Sequence, residues 1–127
     1  MEFFTSDIVT HEVECTTLDR FMKDAGIEMI DLLKIDTEGH DLSVLKGARQ
    51  ALHDRRIRMI QFEFIPANIA TGATMHGFFA MLAGYRIYRI CLNGDLWPLD
   101  IYDTKRCEIF VTQNLIATLL PESRSGR

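Results

Sequence analysis

Apolar and polar positions alternate weakly through residues 11–16 (HEVECT), which predicts a short first strand. Thr17 or Asp19 then stands where a helix N-cap belongs, with the helix running to about Ala25 and Gly26 closing it. Residues 29–35 are apolar apart from Asp31 and Lys34 and lie between Gly26 and Gly39, the pattern of a short strand buried on both faces. A central parallel strand is the reading this supports. Beyond Gly39, Leu42, Leu45, Ala48 and Leu52 recur at helical spacing, so one helix is predicted over 40–53, with Gly47 kinking or splitting it.

The run IRMIQFEF at 57–64 is β-branched and aromatic and is stopped by Pro66, which predicts a second buried strand. Over 73–83, Met75, Phe78, Phe79 and Leu82 share one helical face, read as core, and Gly84 ends that helix. Asn93-Gly94 between two alternating runs signals a hairpin, with Trp97 anchoring its edge, and CEIFVTQ at 107–113 reads as a last strand. Strands alternating with helices predict an α/β layer with a mainly parallel sheet and an antiparallel hairpin at its edge. One domain, or a piece of one, is expected over residues 1–120, and 121–127 have the composition of a frayed tail.

A chain of 127 residues, 47% hydrophobic, is long enough for a single core. Its net charge of -4 offers no basic field for phosphate backbones, so nucleic acid is not an expected partner. Cys15, Cys91 and Cys107 form no C-x-x-C pair and read as buried thiols in a reducing compartment. There is no signal-like N-terminus and no apolar run of the ~20 residues a membrane helix needs, so a cytoplasmic location is expected.

Ligands in open α/β sheets bind outside the carboxyl ends of the parallel strands. The first such strand ends at Asp36-Thr37-Glu38-Gly39 and the second near Glu63, so Asp36, Glu38 and Glu63 are expected on one rim. Alternation puts Lys34 on the face of Asp36. Two readings stay open: Lys34 pairs with Asp36 or Glu63 while Glu38 or Asp41 favours a helix N-terminus, or the carboxylates hold a metal, a substrate hydroxyl or a moving proton. His40 is a candidate general base or a plain helix-start residue. Asn68 lies in a loop that could border the site, although loop asparagines usually serve turns. The eight glycines include no G-x-G pair, and no P-loop, G-x-S-x-G or H-E-x-x-H is present.

TTLDRF at 16–21, IDLLKIDTEGHDLSVLKGA at 30–48, IQFEF at 60–64, GYRIYRI at 84–90 and CEIFVTQN at 107–114 resemble the FkbM-type family of S-adenosylmethionine-dependent methyltransferases, over about residues 2–117. The resemblance implies a Rossmann-like fold present only in its C-terminal half, without the first strands and their glycine-rich cofactor loop. It implies O-methylation of a hydroxyl on a sugar, glycan or polyketide-type acceptor, with S-adenosylmethionine as cofactor. Asp36 and Glu38 then end the fold's fourth strand, Glu63 its fifth, and Asp36 with Thr37 face the cofactor. Asp36, Glu38 and Glu63, helped by Lys34 or His40, orient or deprotonate the acceptor, and Asn68 borders it. By analogy with related O-methyltransferases, Asp36 and Glu63 hold a divalent metal. Without the cofactor loop, enzyme activity of this chain stays open. The alternative is an inactive interaction fragment that forms a homodimer through the uncovered sheet edge.

Overall fold

The computed structural model describes residues 9–109 and 111–122. Thr17 opens α1 (Leu18–Asp24) by accepting the N–H of Arg20 on its hydroxyl. Residues 11–16, expected as a strand, are exposed and pair with no strand among the described residues. The alternation there is too weak to bury a face.

The helix expected over 40–53 is two, α2 (Asp41–Lys46) and α3 (Arg49–His53). The break lies at Gly47, whose carbonyl is taken by the N–H of Asp19. The Asp19 carboxylate in turn accepts from the N–H groups of Gln50 and Ala51, both at 2.9 Å, and so satisfies the first turn of α3 from outside the helix.

β1 (Ile30–Lys34), β2 (Ile57–Phe64), β3 (Tyr85–Ile90), β4 (Leu96–Leu99) and β5 (Gln113–Leu119) form one sheet in the order β1-β2-β5-β3-β4. Only β1 and β2 are parallel. β5 runs antiparallel to both β2 and β3 and lies between them, and β4 pairs antiparallel with β3 through the expected hairpin. The α/β class therefore stands, but the sheet is mostly antiparallel rather than mainly parallel.

Two physical causes account for the difference. The predicted last strand at 107–113 begins too early, because Asp103 caps α6 (Thr104–Cys107) by accepting the N–H of Arg106. The strand that follows buries Gln113, Leu115 and Ala117, and this apolar alternation fills the slot between β2 and β3. β1 is consequently an edge strand. Leu32 is 51% exposed and Lys34 is also open, so the expectation of a strand buried on both faces does not hold.

One sheet face carries the core. Phe62 stacks on Phe78 of α5 (Met75–Met81) with centroids 4.7 Å apart, and Phe64 meets the same ring edge-on. Ile60, Leu115, Ala117 and Ile87 share this face and are buried. The opposite face, with Leu32, Met59, Gln61, Glu63 and Ile116, is only partly covered. Of the three cysteines, expected as buried, Cys107 is buried, Cys91 is half-buried and Cys15 is exposed. No helix among the described residues is long and apolar enough to cross a membrane. Most of the tail expected at 121–127 lies outside the described residues.

Candidate functional site

The carboxyl ends of β1 and β2 lie side by side, with Lys34 in register with Gln61. One further ladder bond, from the Ile35 N–H to the Gln61 carbonyl, carries the pairing past the end of β1. Ile35 is buried on the core face, so the next residue, Asp36, turns toward the open face that Glu63 also occupies. Asn114 of β5 is the cross-strand partner of Glu63 and is exposed beside it. The rim thus presents Asp36, Glu63 and Asn114 from three neighbouring strands.

Between Asp36 and α2 the chain reverses through Glu38 and Gly39, at φ 51° and 98°. The left-handed region costs a non-glycine residue on the order of 1 kcal/mol, so Glu38 is held there by its surroundings. A Cβ on Gly39 would lie 3.2 Å from the carbonyl carbon of Ala67, in the loop after β2. Glycine is required at this point by both space and backbone angle.

Asn68, in the short helix α4 (Asn68–Thr71), binds the same turn. It is fully buried, its Oδ1 accepts the Ile65 N–H at 2.7 Å and its Nδ2 donates to the Gly39 carbonyl at 3.2 Å. The Thr71 hydroxyl donates to that carbonyl as well, at 2.9 Å. The sequence placed Asn68 at the border of the site. In the structure it stands behind the rim, with its amide committed to backbone.

Lys34 and Asp36 are 4.0 Å apart and both largely exposed, a separation at which an ion pair contributes little. His40 is exposed at the start of α2 and makes no side-chain capping bond. Glu63 is half-buried, and its pKa is raised above the ordinary carboxyl value. Desolvation is the largest cause, followed by the negative charges of Asp36, Asp41 and Glu38, while Lys34 acts in the opposite direction. Of the acids at the rim, Glu63 is the one whose surroundings favour the protonated form.

Asp41 is the residue that sequence reasoning undervalued. It was read as one of two acids favouring a helix start, yet it is 1% exposed and bonded to both strand ends. Its one signal in the sequence is the Thr37–Asp41 spacing of four residues at a glycine turn.

The profile of the methyltransferase FkbM domain matches residues 2–89. The chain belongs to the FkbM methyltransferase family. The matched span includes Lys34, Asp36, Glu38, Glu63 and Asn68, and it ends within β3, so β4, α6 and β5 lie beyond it. No curated protein and no solved structure matches the chain.

Membership of the FkbM family implies S-adenosylmethionine as methyl donor. The residues described here do not by themselves make a seat for it. Thr37, one of the two residues expected to face the cofactor, has both its N–H and its hydroxyl committed to Asp41. Asp36 is exposed, with Lys34 4.0 Å away. None of five cavities among the described residues is lined by Asp36, Thr37, Glu38 or Glu63. The largest, about 900 Å³, is bounded by α1, Glu28 and Arg56, at the opposite end of β1 and β2. The metal expected between Asp36 and Glu63 also lacks support, because no group of three or more His, Cys, Asp or Glu side chains with metal-binding geometry occurs among the described residues.

Proposed function

We propose that the rim of β1 and β2 is the acceptor side of an O-methyltransferase site. Its acceptor is a hydroxyl on a sugar, glycan or polyketide-type molecule, and the methyl donor is seated by residues other than those described. The observation that carries this reading is the convergence of Asp36 and Glu63 on the open face at the carboxyl ends of the parallel pair, where desolvation and the neighbouring acids raise the pKa of Glu63. An acceptor hydroxyl must lose its proton as its oxygen forms the new C–O bond, and a carboxylate with a raised pKa is a better base for that step. Asp36 and Glu38 orient the hydroxyl from the adjoining turn, and Lys34 and His40 stand at its margin. Placement of the nucleophile contributes more here than strong acid catalysis, because methyl transfer is an in-line displacement.

The test is made in a member of the family with measurable methyl-transfer activity. Glutamine at the position equivalent to Glu63 is expected to lower kcat roughly 100-fold or more with the fold retained. Asparagine at the position equivalent to Asp36 is expected to raise KM for the acceptor. Full turnover in both folded variants would remove the assignment.

A second reading is favoured by the outer edge of β1, which pairs with no further strand among the described residues, and in it this chain acts as an interaction module that pairs with its own copy. The Ile35 N–H donates to the Gln61 carbonyl, so parallel-ladder geometry turns the N–H and C=O groups of Leu33 toward β2 and those of Leu32 and Lys34 outward. A two-fold axis through Leu32 matches Asp31 of one copy with Leu33 of the other and sets the two Leu32 side chains opposite each other. No like charges then face each other across the seam. Sedimentation would decide it: a chain that stays monomeric at every concentration does not use this edge.

A further inference from the structure

We infer that Asp41 is a positioning residue for this site, a carboxylate tie that holds the ends of β1 and β2 together and so fixes Glu63 and Glu38 relative to each other. The inference rests on the reading of the rim as an acceptor site, and it concerns a residue that touches no acceptor.

The ladder between β1 and β2 ends at the Ile35 N–H. Beyond that point the β1 chain turns away through the left-handed Glu38 and Gly39, and a backbone bond to β2 is no longer available. Asp41 replaces it. Its Oδ1 accepts the Thr37 N–H at 3.0 Å and the Thr37 hydroxyl, and its Oδ2 accepts the Glu63 N–H at 2.8 Å. The two oxygens of one carboxylate therefore serve the residue before Glu38 and the amide of Glu63 itself.

The chemistry requires a carboxylate at this position. Three N–H or O–H donors converge on Asp41, and only a group with two acceptor oxygens and no proton of its own satisfies them all. Burial at 1% exposure strengthens each bond and makes each costly to lose. The same placement sets a fixed negative charge near Glu63. The groups facing Glu63 are Asp36, Asp41 and Glu38, which favour its protonated form, and Lys34, which opposes it. Asp41 is the buried member of the three acids, and its charge is the least screened by water.

The test uses the whole chain, labelled for NMR, without donor or acceptor, so that failure of the methyl-transfer reading leaves it untouched. In the variant D41N the side-chain amide can accept from one strand end but presents its own N–H groups to the other. Glu63 is expected to titrate at a lower pH than in the wild type, and the Glu63 amide hydrogen to exchange at least tenfold faster. The exchange of Phe62 is expected to stay unchanged. A purely structural Asp41 would lower global protection and leave the Glu63 midpoint where it was, and that result would overturn the inference. Unchanged midpoint and unchanged exchange would overturn it equally. If D41N does not fold, Thr37→Val removes only the hydroxyl donor and leaves the Asp41 carboxylate in place, so faster exchange of the Glu63 amide is expected with Phe62 unchanged, and unchanged Glu63 exchange would overturn the role.

Discussion

Asn68 and Gly39 are joined by a hydrogen bond from the buried amide of one to the carbonyl of the other, across 29 residues of chain. Through it the loop after β2 holds the turn that carries Glu38. Asn68→Ala leaves the buried Ile65 N–H without an acceptor, whereas the Gly39 carbonyl keeps the Thr71 hydroxyl. A loss of about 1–3 kcal/mol is expected, measured by denaturant unfolding. A change below a few tenths would mean that the turn is held by other contacts.

Phe78 lies between Phe62 and Phe64 and is fully buried, so it joins α5 to the strand that ends in Glu63. Phe78→Ala is expected to cost about 3–5 kcal/mol, read as a drop in melting temperature, because removal of the ring leaves a cavity that a packed core cannot close. Phe78→Leu, which keeps most of the apolar volume, is expected to cost clearly less. Equal losses for the two would contradict this view of the core.

The raised pKa of Glu63 has a consequence for stability. A carboxyl that binds its proton more tightly in the folded state stabilises fully below its unfolded value of about 4.5, and that contribution is lost as pH rises through the higher folded value. Glu63→Gln has no charge to desolvate. Its melting temperature relative to the wild type is expected to rise between about pH 4 and about pH 8, as the wild type ionises. A difference independent of pH would show that Glu63 ionises as freely in the fold as in water.

Residues 29–64 were the legible part of the chain. Two apolar runs, each stopped by a glycine or proline, with a helical period between them, determine a parallel pair and the rim at its end, and Asp36 and Glu63 follow from alternation alone. The position of the pair in the sheet was not legible. It depends on β5, whose partners are 55 or so residues away in β2, and local pattern carries no record of such pairing. The burial of Asp41 and Asn68 was hidden for a related reason. Polar residues are drawn inside by distant backbone donors and acceptors, and composition offers no sign of those. In the other direction, the apolar character of β1 suggested a central strand, whereas Leu32 and Met59 are left open on a sheet whose edge carries no further strand among the described residues.

Titration of S-adenosylmethionine into the purified chain by calorimetry tests the central claim most directly. Asp36, Glu38 and Glu63 form the proposed acceptor side of the site, and the described residues offer no seat for the donor, so no saturable heat is expected. Saturable one-to-one binding, lost on substitution of Asp36 or Thr37, would contradict the claim and make this chain a complete cofactor-binding unit.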